Sequence, residues 1–154
     1  MDAHAMTNPT IDDLLKPSSP EPKTWGCTWP VIETDLYARY ALEAVVGGYS
    51  SLHYHAERAN RFRVLSGAIL VWRVFGNLVV SSEPLTDGQI FDVPSLVVHG
   101  FAVLEDAKVV EEYWPDRGGT VRRDDIHRLC HGGRVDVDAV DLRTLPRQLL
   151  ETPL

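Results

Sequence analysis

Lysine is scarce in this chain, with three residues against twelve arginines, and 15 basic against 22 acidic side chains leave a formal net charge of −7. An acidic total gives no general attraction to phosphate backbones or anionic lipid, so neither a nucleic-acid nor a membrane partner is expected. The arginines still allow local sites for small anions. Cysteine is nearly absent. Cys27 and Cys130 are far apart and form no CxxC pair, so two reduced thiols are expected rather than a disulfide framework or a zinc knuckle. No apolar run approaches the roughly 18 residues that cross a bilayer, and residues 1–10 lack the charged-then-apolar form of a secretion signal. The expected location is cytoplasmic. There is no internal repeat and no low-complexity tract.

What is present is ordinary globular material: 154 residues, 44% hydrophobic and 24% charged, enough for one domain around one core. Residues 1–24, with Pro9, Pro17, Pro20 and Pro22, read as an extended N-terminal arm carrying one helical turn at 11–15. Residues 25–130 hold short runs rich in Val, Tyr, Phe and Trp, at 29–32, 36–46, 50–55, 60–65, 68–75, 78–82, 90–93, 97–104 and 108–114. Between them lie the turn signals Gly47-Gly48, Ser66-Gly67, Gly76-Asn77, Asp87-Gly88 and Glu105-Asp106. Many short strands without alternating helices predict an all-β sandwich or barrel. A short helix is predicted over 122–129. Residues 131–154 read as a C-terminal tail with a helix over 142–150, interrupted by Pro146.

The chemistry-bearing feature is a pair of histidines one residue apart, His53 and His55. Residues i and i+2 of a strand share a face, so both imidazoles point at one spot. His99 follows a second punctuated segment, in which Pro94 closes one element and residues 97–99 open the next. Neighbouring placement of the two segments in a barrel brings three imidazoles together inside it, the outline of a metal clamp.

The spacing His53-x-His55-x4-Asn60-x6-Gly67, followed by Gly88-x5-Pro94-x4-His99, resembles the two motifs of the cupin superfamily. It is most similar to the cupin domain of type II mannose-6-phosphate isomerases. Lys23-Thr24-Trp25-Gly26, Ser51-Leu52, Arg58-Ala59, Val109-Val110-Glu111 and Asp124-Asp125-Ile126 extend the likeness over residues 23–128. The resemblance implies a cupin-type jelly-roll β-barrel with short terminal helices, and a metal ion held by His53, His55, Asn60 and His99. Where that family usually has glutamine this chain has His53, which restores the general HxH. Where it has a glutamate ligand this chain has Asn60, which removes a negative charge from the ligand set. Imidazole suits zinc, nickel, iron and copper, while an amide oxygen fits manganese or iron. The expected cofactor is therefore a divalent ion, with zinc, manganese, iron and nickel all open. Four neutral ligands leave coordination positions free and the +2 charge uncompensated, which favours anionic ligands.

Arg58 matches a family arginine and is the candidate contact for a substrate anion, whereas Glu57 and Arg61 read as solvated loop charges. Strand parity puts Phe62 and Val64 on the face of Asn60, and Arg61 and Arg63 on the other. On the run 108–114 parity turns inward either Glu112 or the pair Glu111 and Tyr113. An inward carboxylate near a metal is a credible proton shuttle, so Glu111 and Glu112 are both candidate bases. His127, Cys130 and His131 match no zinc spacing and are read as a helix end. Asp136, Asp138 and Asp141 lack the glycine and terminal glutamate of a calcium loop. Trp25, Trp29, Trp72 and Trp114 are core or interface residues first and sugar-stacking platforms second.

The first functional expectation is a metal-dependent isomerase or epimerase of a sugar or sugar phosphate, moving a proton between carbons through an enediolate. A non-catalytic cupin that binds a small carbohydrate or acid is the alternative, and an iron- or copper-dependent dioxygenase the third. The expected partners are a small molecule, carbohydrates among the candidates, and a second copy of the chain. Open sheet edges and a Pro-rich arm suit a homodimer.

Overall fold

The computed structural model describes residues 15–152 and 154, so the helical turn expected at 11–15 lies outside the described residues apart from Leu15. In chain order the elements are β1 (Glu21–Lys23), β2 (Gly26–Glu33), β3 (Ala38–Ala44), β4 (Gly48–Tyr49), β5 (His53–Tyr54), β6 (Arg58–Phe75), β7 (Leu78–Ser81), β8 (Ile90–Val93), β9 (Val98–Pro115), β10 (His127–Arg128), β11 (Gly133–Arg134) and the C-terminal helix α1 (Leu145–Glu151). All strand pairs are antiparallel, and the sheet curls into a jelly-roll barrel. The sheet begins inside the stretch expected as an arm, where β1 pairs with β2. No helix among the described residues is long and apolar enough to cross a membrane.

β6 and β9 form the spine, eighteen residues each, paired from Arg58 opposite Pro115 to Val74 opposite Val98. Each was expected as two strands with a turn between. The structure corrects this: Ser66-Gly67 and Glu105-Asp106 are not turns, and the register shifts between Val64 and Ile69 instead. Gly67 has φ 79°, and a Cβ there would lie 2.1 Å from the Asp106 carbonyl oxygen. A bulge and a turn both favour glycine, but here the chain bends and continues.

The irregularity changes which side chains face inward. Before it Phe62 and Val64 enter the barrel core, as parity predicts; after it Ile69 and Val71 do, against Phe101 and Val103. Leu70, Trp72 and Val74 then point to the outer face, which is buried too, because Leu142 and Leu145 of the tail pack there together with Cys130. Burying side chains of this size contributes about 1.5–3 kcal/mol each, and Trp72 anchors the tail further by donating its Nε1–H to the Leu142 carbonyl at 2.9 Å. Helix α1 starts with Pro146 in its first turn, where a missing N–H costs nothing, so the proline opens the helix rather than interrupting it.

The helix expected over 122–129 does not form. His127 and Arg128 instead pair as β10 with Tyr54 and His53. Of Asp124 and Asp125, both expected near the start of that helix, Asp125 is buried with its carboxylate on the Ala56 and Glu57 N–H groups at 2.8 and 3.0 Å.

Candidate metal centre and its cavity

His53 lies on β5 directly opposite His99 on β9, and His55 follows on the same side. One ring nitrogen from each of the three lies within 4.8 Å of the others, and all three residues are buried. The ring centroids are 4.6 to 5.2 Å apart. Gly100 permits this convergence, because a Cβ there would come within 2.9 Å of the Ser51 carbonyl oxygen on the neighbouring segment.

The hydrogen bonds fix which nitrogen of each ring is free. His55 Nδ1 sits 2.6 Å from the Asp125 carbonyl oxygen, and His99 Nδ1 sits 2.9 Å from that of Val97. His53 Nδ1 is shared between the carbonyl and hydroxyl oxygens of Ser51 at 3.0 and 2.9 Å. A carbonyl oxygen only accepts, so each Nδ1 carries the proton and each Nε2 keeps its lone pair. The Nε2 atoms of His55 and His99 are buried and have no hydrogen-bond partner. Neutral imidazole with Nδ1–H tied to an oxygen is the form that ligates a metal. The charge states agree. Burial first, then the neighbouring imidazoles, hold His53 well below the ordinary histidine range and push His55 down to about 3. Burial, with Arg58 nearby, brings His99 to about 4.

Asn60 is fully buried on β6, opposite Tyr113 of β9. Its Nδ2 donates to Glu111 Oε1 at 3.0 Å, and its Oδ1 has no partner. Tyr113 donates its hydroxyl to the same Glu111 oxygen, and its ring meets that of His55 edge-on at 5.4 Å. Glu111 and Tyr113 are therefore the pair that faces inward. Glu112 points the other way, accepting from the Tyr37 hydroxyl at 2.7 Å and lying 3.6 Å from Arg63 and 4.0 Å from Arg39. Burial raises the Glu111 carboxyl against the opposing pull of Tyr113, Arg58 and Asn60. Burial and the Glu111 carboxylate raise the Tyr113 phenol well above its ordinary value.

Arg58 is 4% exposed, with its guanidinium 4.0 Å over the Tyr113 ring and its Nε 3.3 Å from His55 Nδ1. Arg58 and Tyr113 border a cavity of about 410 Å³, whose wall includes Phe62, Phe101 and Glu111 and, of the three histidines, His53. Of the four tryptophans only Trp25 lines it, edge-on to Phe101 at 5.2 Å. Glu57 and Arg61 lie outside, paired with Arg122 and Asp92. His127 stacks on Tyr54 and joins no metal-ligating cluster among the described residues. Ser51 and Asp125 enter the sequence only as matches to the family, and what they do at the site is shown by the structure alone. Asp125 orients His55 from 70 residues away and Ser51 orients His53, and neither position carries a signal of that role.

No protein-family model matches the chain, and no curated protein sequence does. Solved structures do. KdgF from a Halomonas species matches with a TM-score of 0.52 at 23% identity, over 64% of this chain and 81% of that one. The capsular polysaccharide assembling protein CapF of Staphylococcus aureus matches with a TM-score of 0.58 at 18% identity, over 77% of this chain. A Bacillus subtilis oxalate decarboxylase with Mn(II) centres matches with a TM-score of 0.60 at 19% identity, over 72% of this chain. The chain has the cupin fold. It corresponds to 36% of the CapF chain and 30% of the decarboxylase chain, a part of a longer protein in each case.

The donor set fits a divalent ion on grounds internal to this chain. Two buried imidazole nitrogens and a buried amide oxygen lack partners, and a buried acceptor left unpaired is costly unless something fills it.

Proposed function

We propose that this cupin binds a divalent metal ion through His53, His55, His99 and Asn60, and that it isomerises or epimerises a small polyhydroxylated carbonyl compound, a sugar or sugar phosphate. The observation that carries this reading is the Glu111–Tyr113 pair on the inner wall, hydrogen-bonded to Asn60. The bound ion supplies Lewis acidity at the carbonyl oxygen. Glu111 is the base. Its desolvation raises the proton affinity of the carboxylate, so it takes a proton from the carbon beside the carbonyl and returns it to the adjacent carbon. Asn60 and Tyr113 both donate to Oε1, leaving Oε2 free for that transfer. The aromatic wall of Phe62 and Phe101 limits competing water.

Incubation with a panel of aldoses, ketoses and their phosphates in D2O tests the reading. Deuterium appearing by NMR at the carbon beside the carbonyl is the expected result. The absence of exchange from every compound that broadens its lines with the protein would reject it. That outcome favours the second reading, a non-catalytic binder, for which Asn60 is the supporting observation: an amide at the position where the isomerase cupins this sequence resembles have a glutamate. The homodimer belongs with this proposal, on the open sheet edges, and a purely monomeric species in gel filtration is the result against it.

A further inference from the structure

Four basic side chains line the cavity: Lys23, Arg58, Arg123 and Arg128. Two are already committed. Lys23 lies 2.5 Å from Glu21, and Arg123 holds both carboxylate oxygens of Glu33. The other two form no ion pair with any described residue. Arg58 is buried, and its one polar neighbour is His55 Nδ1, whose proton is already given to Asp125. The Glu111 and Asp125 carboxylates feel its charge but neither pairs with it directly, and a buried guanidinium without a direct partner is expensive unless a ligand completes it. Arg128 stands at the exposed rim, paired across β10 and β5 with His53.

Two arginines without an ion-pair partner among the described residues thus line the cavity that the triad borders through His53, with Glu111 the carboxylate of the inner wall. The Trp25 and Phe101 rings give the same cavity an apolar side. We infer that Arg58 and Arg128 form a two-sided anion clamp about the histidine triad, and that the ligand carries a carboxylate or a phosphate held between them. Arg58 makes the inner contact, in a desolvated position where a fork of N–H donors matches either group. Arg128 meets the anion at the rim and steers its entry. The clamp rests on the triad cavity being the ligand site, and is independent of proton transfer.

Calorimetric titration of the purified full-length protein with gluconate, mannose 6-phosphate and mannose tests the clamp, with the first two separating carboxylate from phosphate. At least one anion should bind about tenfold or more tighter than mannose. Arg128→Gln should weaken that anion about fivefold and leave mannose unchanged. Arg58→Lys keeps the buried charge but loses the fork, and should weaken the anion more than Arg128→Gln does. Mannose binding as tightly as both anions, equal weakening of all three by Arg128→Gln, or no anion bound by a folded protein would each overturn the clamp. Anion binding without deuterium exchange leaves the clamp and removes the isomerase; exchange confined to neutral sugars removes the clamp and leaves the isomerase.

Discussion

His55 donates its Nδ1–H to the backbone carbonyl of Asp125 at 2.6 Å, across 70 residues of chain. The Asp125 carboxylate in turn accepts the N–H groups of Ala56 and Glu57, the two residues that follow His55. One buried residue therefore holds both the ring and the backbone beside it. Asp125→Ala should cost about 2–4 kcal/mol, because two part-buried N–H groups lose a charged acceptor, and should weaken metal affinity by about tenfold or less, since the backbone carbonyl that His55 uses is kept. Asp125→Asn, which keeps one acceptor oxygen, should show a smaller loss of both. Urea unfolding and competition with a metal-responsive dye measure the two effects.

Protein purified without an affinity tag should carry one divalent ion per chain by elemental analysis. His55→Ala and His99→Ala should each leave less than about a tenth of that. The hydroxyl-free control Tyr113→Phe should retain the ion, since Tyr113 contacts Glu111 and the His55 ring rather than a lone pair of the triad.

Acid should destabilise the chelated protein in a defined window. The folded-state values of His55 and His99, about 3 and about 4, lie below the ordinary histidine value of 6.5. Between 6.5 and those values the unfolded chain binds more protons, so stability is complete above pH 6.5 and falls as the pH drops toward 4 and then 3. At pH 5 the loss is about 2 kcal/mol for each of the two residues. Thermal melts of metal-free protein at pH 7 and pH 5 read it, and a melting temperature unchanged between them would contradict the buried neutral triad.

Glu111→Gln should slow solvent exchange into substrate by about 10²- to 10⁴-fold, the usual weight of a positioned base, while metal content stays the same. Glu112→Gln should change the rate by less than about threefold, since Glu112 faces Tyr37, Arg39 and Arg63.

Gly67→Ala should cost about 2 kcal/mol or more, since the residue has positive φ and its Cβ would collide with the Asp106 carbonyl oxygen. Chemical denaturation against wild type measures it.

The histidine triad and the strand-rich fold were legible because both rest on short-range periodicity. His53 and His55 share a face by the two-residue period, and the spacing to His99 matches a known pattern. The choice between Glu111 and Glu112 was not legible. Parity along β9 depends on where the strand is registered, and only the pairing of Tyr113 with Asn60 sets it. The division of β6 and β9 into shorter strands failed for a related reason: Gly67 and Asp106 have turn chemistry, yet the long antiparallel pairing continues across the bulge they make. The helix expected around Asp124 and Asp125 failed because the partners that fix Asp125, Ala56 and Glu57, are remote in sequence.

The tail packed over Trp72 has a consequence for thiol chemistry. Cys130 packs in one cluster with Leu142 and Leu145 and is 5% exposed, and its burial raises the thiol pKa, so alkylating reagents find neither access nor thiolate. Cys130 is thus a native gauge of tail undocking. The rate at which it is labelled reports how often residues 135–152 lift from the barrel, in an unmodified chain.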